Sequence, residues 1–369
     1  MNAELFTALE ITRSLVEARL RRRRQLYLVH SLTARCNARC GFCAWNPDFY
    51  DANQQLSTEG IERLYTEARA EGFLGVSVWG GEPLLHPDFH RVMRHAKALG
   101  LATNMVTNGY LLEKKLDAVL ETIDRLCISL DHPSSKHDEL RGLRGLFDRI
   151  VASTREVRRR APKKPITFVY TLQRANVSPA TLRETAALLR DLGVLGIFNG
   201  LREEAATEGD APALSEFAAP QGELRLAFDT LAELKREGFP ILNSFTHLAM
   251  MREGPPVYRC HWPKLMLPIE ANGDVVDCMH WGTRPLGSLK TSSLHEILAS
   301  PRLRELAGPA GEACHKCVSI HRIEISKVWD GELEPALSWA ALASGGKPRG
   351  GGALVRLGAR LARTEAGRA

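Results

Sequence analysis

No run of about 18 apolar residues, the length a membrane-spanning helix needs, occurs anywhere in this chain. Met1 to Leu20 carries acidic residues and lacks the uninterrupted apolar core of a secretory signal. Internal repeats are absent, and so is aromatic interleaving among the arginines. The first absence excludes a solenoid, and the second argues against a nucleic-acid groove. With neither span nor signal, the expected compartment is the cytoplasm, where thiols stay reduced and disulfide frameworks are rare. What remains is ordinary for a globular protein of 369 residues, with 44% hydrophobic and 25% charged residues. That length suits one large domain plus a small one.

The net charge of +6 is uneven. Arg21 to Arg24 form one basic run. Lys347, Arg349, Arg356, Arg360, Arg363 and Arg368 form another, beside a single Glu365. A solvated helix end and tail explain both. Contact with an anionic membrane surface is the sharper alternative, because Leu5, Leu9, Val16 and Leu20 fall near one face of a helix over residues 1–25.

Strand-like and helix-like segments alternate through the middle of the chain. Apolar runs lie at Leu26–Leu32, Val76–Trp79, Ala102–Thr107, Leu126–Leu130, Ile166–Leu172 and Val194–Phe198. Helix-period stretches between and after them cover Thr58–Ala70, Asp88–Leu99, Glu113–Glu121, Gly145–Arg160, Pro179–Asp191 and Glu223–Arg236. This order predicts parallel βαβ units over residues 26–238. Six units are too few for a closed eightfold barrel, so the expected architecture is α/β, a partial (β/α)6 TIM barrel. Its chemistry should lie at the carboxyl ends of the strands.

After about Phe239 the pattern changes, and residues 239–328 read as a small metal-stapled domain. Asn272-Gly273 between Leu265–Glu270 and Asp274–Cys278 predicts a hairpin. Short helices are expected at Ser293–Leu298 and Pro301–Ala307. Residues 329–369 read as an Ala/Gly-rich basic tail, with a flexible linker at Gly345–Gly352.

The eight cysteines are clustered. Cys36, Cys40 and Cys43 follow the first strand, Cys260, Cys278, Cys314 and Cys317 belong to the small domain, and only Cys127 stands alone, as a buried structural thiol in a strand. Three thiolates on one loop can hold a metal centre. A closed zinc site wants a fourth ligand from elsewhere, whereas three ligands on a four-iron cluster leave one iron open to a reacting ligand. On spacing alone both remain open.

Cys36-Asn37-Ala38-Arg39-Cys40-Gly41-Phe42-Cys43 resembles the cluster motif of the radical S-adenosylmethionine (SAM) enzymes, with gaps of three and two residues and an aromatic before the last cysteine. The resemblance implies a [4Fe–4S] cluster whose open iron chelates SAM. An electron from the cluster would then cleave SAM to methionine and a 5′-deoxyadenosyl radical, which takes a hydrogen atom from substrate. A reductant such as flavodoxin or ferredoxin is implied as electron donor.

Gly80-Gly81-Glu82-Pro83, after the second strand, resembles the family's motif for the SAM amino group. Thr107-Asn108-Gly109 and Ser129-Leu130-Asp131 end the next two strands, where turn and cap chemistry is the plain alternative to ribose and carboxylate contacts. Both resemble family segments near the cofactor. His137-Asp138 through Arg141-Gly142, Gly145 and Asp148 looks like the family's following segment. Asn176 and Ile197 complete the cofactor-binding candidates.

Cys260, Gly273 and Cys278, followed by Cys314-His315-Lys316-Cys317, would by themselves suit a structural zinc. Beside the first motif they resemble the SPASM domain, and in its shortened Twitch form, since Val318 to Ala369 contains no cysteine. The resemblance implies one auxiliary [4Fe–4S] cluster ligated by four cysteines, suited to electron transfer.

The substrate is not legible. A sugar, polyol or aminocyclitol leads the expectations, with a lipid suggested by the basic flanks. A peptide ranks lower, because only about 25 residues precede the first strand, too few for a leader-binding domain. A zinc-stapled module without catalysis is the alternative from another class.

Overall fold

A computed structural model describes residues 26–43, 55–201, 214–254, 256–278, 285–306, 313–314, 317–332, 334–336 and 338. The expected N-terminal amphipathic helix, its basic run, the Gly345–Gly352 linker and the basic tail all lie outside the described residues.

The first half alternates as the sequence predicts. Strands β1 (Tyr27–Thr33), β2 (Gly75–Gly80), β3 (Ala102–Thr107), β4 (Arg125–Ser129), β5 (Ile166–Leu172) and β6 (Leu195–Gly200) pair in parallel, in that order. Helices α1 (Thr58–Ala70), α2 (Phe89–Ala98), α3 (Leu116–Thr122), α4 (Lys136–Arg141), α5 (Leu146–Arg160) and α6 (Pro179–Leu192) connect them. Local chemistry sets their starts. Ser57 accepts from the Gly60 amide at 3.1 Å and Ser178 from the Thr181 amide at 3.2 Å, so each caps a helix end that would otherwise leave amides unpaired. Pro179 then occupies the first turn, where a missing amide costs nothing. Ile61, Leu64, Tyr65 and Ala68 form the one buried stripe of α1, at helical spacing.

Alternation along β1 separates two faces. Leu28 and His30 turn toward the helix layer, where His30 Nδ1 meets the Tyr65 hydroxyl at 3.0 Å. Val29 and Ser31 therefore take the opposite, inner face. The strands form a partial barrel, and the βα loops at their carboxyl ends carry the candidate residues.

After residue 238, where a small metal-stapled domain is expected, three strands join the first sheet and two form a small sheet of their own. Following α7 (Gln221–Arg236), α8 (Phe245–Arg252), β7 (Tyr258–Arg259) and α9 (Trp262–Leu265), strand β8 (Met266–Ile269) pairs in parallel with β1. The hairpin expected around Asn272-Gly273 forms between β8 and β9 (Asp274–Val276), and β10 (Pro285–Ser288) extends it. One nine-stranded sheet thus spans both sequence regions. Its physical basis is the open edge of β1, whose unpaired amides and carbonyls the hairpin covers. Helices α10 (Leu294–Leu298) and α11 (Pro301–Leu306) occupy the expected places. Strand β11 (Ala313–Cys314) pairs with β7, and α12 (Ile320–Asp330) runs past residue 329, where a tail is expected. Ile320 fills the gap against Leu195, Ile197 and Leu242 beside β6.

Two buried histidines make stability pH-dependent. Burial above all, with the neighbouring His86, pushes His30 down to about 3, and burial followed by His321 does the same to His247. Both are neutral in the fold but protonate near 6.5 when the chain unfolds. Their contribution is present above pH 6.5 and is lost progressively as pH falls from 6.5 toward 3. At pH 5 each costs about 2 kcal/mol. Melting temperature should therefore fall between pH 7.5 and pH 5.5. Burial lowers His137 and His321 in the same way, so a His30→Gln/His247→Asn variant should lose part of that slope, and an unchanged slope would rule out these two groups as contributors.

Candidate active site

The loop after β1 carries Cys36, Cys40 and Cys43, all partly exposed. It is held by its backbone. Gly81 N–H donates to the Thr33 carbonyl at 2.9 Å and Glu82 N–H to the Arg35 carbonyl at 2.8 Å, so the β2 loop continues the β1–β2 pairing into the cysteine loop. On the other side Arg39 N–H donates to the Arg141 carbonyl at 3.0 Å.

The two glycines serve this approach. Gly80 has φ +109°, and a Cβ on Gly81 would sit 2.1 Å from the Arg35 carbonyl oxygen. The sequence assigns them to the approach of a ligand; the structure shows them admitting a neighbouring backbone. A Gly81→Ala substitution should cost about 1–3 kcal/mol, because a backbone and not a flexible side chain must yield. Melting and iron uptake should both decline; wild-type values for both would contradict that packing.

Glu82 is 1% exposed, and every donor around it is fixed. Thr107 donates its hydroxyl to Oε1 at 2.7 Å, Leu84 N–H reaches Oε1 at 3.1 Å, and Asn108 N–H reaches Oε2 at 2.7 Å. Burial pushes its carboxyl up to about 6, and these bonds together with the Arg141 charge resist that rise. Thr107, a candidate for ribose or carboxylate contact, is bonded to Glu82. Asn108 links the two motifs, with Nδ2 2.8 Å from Asn37 Oδ1 and 4.0 Å from Cys36 Sγ. Pro83 opens the short 3-10 turn behind Glu82.

Other expected positions lie further from open space. Asp131 is fully buried and bound to Arg141, whose Nε and Nη2 both lie 2.6 Å from Oδ2, while Oδ1 accepts from Thr171 N–H at 2.9 Å. Asn176 donates to the carbonyls of Asp131 and Thr171 at 2.8 and 2.9 Å and accepts from Gln173 N–H at 2.8 Å. Both side chains cross-tie the β4 and β5 loops. Ile197 is 2% exposed in the apolar cluster with Ile320. Ser129 ends β4 half-buried. Cys127 sits in β4, and burial pushes its thiol up to about 11.

Arg141 is the residue that motif reading undervalued. Its guanidinium lies 5.3 Å over the Phe42 ring, and its carbonyl is 4.0 Å from Cys40 Sγ. Glu270 gave no motif signal at all. It follows β8 one position beyond Ile269, which pairs with His30. Its Oε2 is buried without a hydrogen bond, and burial, then Asp274, pushes the carboxyl up to about 7.

Backbone pairing assembles the second cysteine set. β11 lies beside β7 with Cys314 opposite Tyr258, two residues before Cys260. Cys278 follows β9, and Cys317 is 1% exposed. Cys260 feels the charges of Cys317 and Cys278, and burial first of all pushes its thiol up to about 11.

The donor sets fit iron–sulfur clusters. Each places soft thiols on short loops with a guanidinium near them, Arg141 for the first set and buried Arg322 for the second. Among the described residues no three His, Cys, Asp or Glu groups converge as around a single ion. Also among them, no helix is long and apolar enough to cross a membrane.

Comparison with known proteins agrees. The profile of the Radical SAM superfamily matches residues 30–189, and that of an iron–sulfur cluster-binding domain, SPASM, matches residues 260–318. The PqqA peptide cyclase of Gluconobacter oxydans (strain 621H) is 32% identical over 169 residues, 45% of this chain and 46% of that protein. The AdoMet-dependent heme synthase of Methanosarcina barkeri (strain Fusaro / DSM 804) is 30% identical over 167 residues, 44% of this chain and 47% of that protein. The chain thus spans about half the length of these two relatives. Streptococcus suis SuiB, crystallised with S-adenosylmethionine, superposes with a TM-score of 0.61 at 18% identity, covering 81% of this chain and 72% of that one. SuiB has also been crystallised with its precursor peptide SuiA. The two domains imply a SAM-binding [4Fe–4S] cluster and an auxiliary cluster. With its cysteine loop at the end of β1, the Gly-Gly-Glu turn tied to it and a second cysteine set downstream, the chain carries a radical SAM domain over residues 30–189 and a SPASM domain over residues 260–318.

Proposed function

We propose that this protein is a radical-generating enzyme that modifies a peptide. The observation that carries the radical chemistry is the joined constellation of Cys36, Asn108 and Glu82, which sets a buried carboxylate next to the cluster loop. The bound cluster supplies the electron that cleaves SAM. Cys36, Cys40 and Cys43 would hold that cluster, and Glu82 would receive the SAM ammonium, with Thr107 and Asn108 keeping its two oxygens in place. Ser129, at the end of β4, remains a candidate for the sugar or carboxylate of SAM.

The relatives favour a peptide substrate over the sugar or polyol that leads the sequence expectations. One acts on the PqqA peptide, and the SuiB fold accommodates a precursor peptide. Glu270 supports substrate proton transfer in this reading. It sits one residue beyond β8, holds an unbonded buried oxygen, and burial pushes its carboxyl up to about 7.

Anaerobic reconstitution tests the proposal. Purified protein, SAM, dithionite and candidate precursor peptides should yield 5′-deoxyadenosine and a peptide of changed mass. Glu270→Gln should keep forming 5′-deoxyadenosine but lose most of the modified peptide. A protein that binds zinc at both cysteine sets and leaves SAM intact would overturn the reading. Deuterium transfer into 5′-deoxyadenosine from a labelled polyol but from no peptide would replace the substrate class.

A further inference from the structure

The auxiliary cysteines do not stand alone in an apolar pocket. Arg322, near the start of α12, is 4% exposed, and its Nη1 lies 3.7 Å from Cys317 Sγ. Its guanidinium also stacks 5.4 Å over the Trp262 ring, in the helix that begins two residues after Cys260. Its charge acts on Cys278, Cys317 and Cys260 together. A permanently charged group is thereby directed at three of the four thiols.

The first site uses its arginine differently. Arg141 has two nitrogens at 2.6 Å from the same carboxylate oxygen of buried Asp131, and that carboxylate is its strongest attractive partner. Much of its charge is therefore offset before it reaches Cys40 and Cys43. For Arg322 the strongest attractive partners are thiols, those of Cys278 and Cys317.

Reducing a thiolate-ligated cluster adds one negative charge inside a poorly polarisable interior. A fixed cation and an N–H···S bond both stabilise that added charge, and both raise the reduction potential. We propose that Arg322 is a positioning residue that raises the potential of the auxiliary cluster relative to thiolate ligation alone. This rests on the reading that Cys260, Cys278, Cys314 and Cys317 hold that cluster.

The test is an EPR-monitored redox titration of the full chain reconstituted with iron and sulfide. The signal of the first cluster serves as internal reference, since Arg322 does not belong to its site. In Arg322→Gln the auxiliary midpoint should move to lower potential while the first midpoint stays put. Arg322→Lys retains the charge but not the planar stack on Trp262, and its midpoint should return most of the way toward wild type. An Arg322→Gln protein with full iron content and an unmoved auxiliary midpoint would overturn the inference. Loss of the auxiliary iron in both variants would also overturn it, by assigning Arg322 to assembly. If wild type itself shows one cluster, the auxiliary-cluster reading fails, and this inference falls with it.

Discussion

Substituting Cys36, Cys40 and Cys43 together by alanine should abolish reductive cleavage of SAM and lower bound iron from about eight to about four atoms per chain. The variant should still fold. The loop is positioned by backbone bonds, from Gly81 to Thr33, Glu82 to Arg35 and Arg39 to Arg141, none of which uses a thiol. The three side chains are partly exposed, so truncating each removes little buried surface, on the order of 1 kcal/mol. The remaining iron should belong to the SPASM cysteines, which lie just after β7, just after β9, on β11 and in the segment before α12. Iron quantitation and chromatographic detection of 5′-deoxyadenosine measure both effects. Undiminished cleavage would mean that the radical originates elsewhere in the chain.

The second large effect concerns Glu82. Glu82→Gln should leave both clusters loaded but weaken SAM binding by about 10- to 100-fold, the usual worth of a charged hydrogen bond to a buried ammonium. Part of the loss will come from within the protein. The carboxylate accepts from Leu84, Thr107 and Asn108 with two oxygens, whereas a carboxamide must turn its NH2 toward one of those donors. Glu82→Asp keeps the charge on a shorter arm and should retain more affinity than Gln. Calorimetric titration of SAM into reconstituted protein, with iron content measured in parallel, separates binding from cluster loss. Equal affinity in wild type and Glu82→Gln would remove this carboxylate from the SAM site.

Much of this architecture was legible in sequence because its signals are local. Ser57 and Ser178 cap their helices, Asn272-Gly273 turns a hairpin, and the cysteine gaps need only a short loop. The less legible features depend on contacts between distant segments. Nothing local indicates that Asp131 will be bound by Arg141, or that Asn176 will spend its carboxamide on two strand-end carbonyls. Small polar residues at strand ends look alike whether they meet a ligand or a neighbouring loop. Glu270 gave no signal for a related reason: a lone carboxylate before a hairpin is ordinary, and only packing leaves one of its oxygens buried without a hydrogen bond.

By itself, then, the sequence determined the alternating α/β order, the two cysteine sets and their chemical class, because periodicity, capping and ligand spacing are encoded within short stretches. Tertiary structure alone decided that the C-terminal hairpin closes the open edge of β1, that Gly81 yields space to a backbone, and that each cysteine set has an arginine of its own nearby. Those outcomes depend on which surfaces meet when the sheet assembles and on where charge must be compensated once water is excluded, and neither is written in any local run of residues.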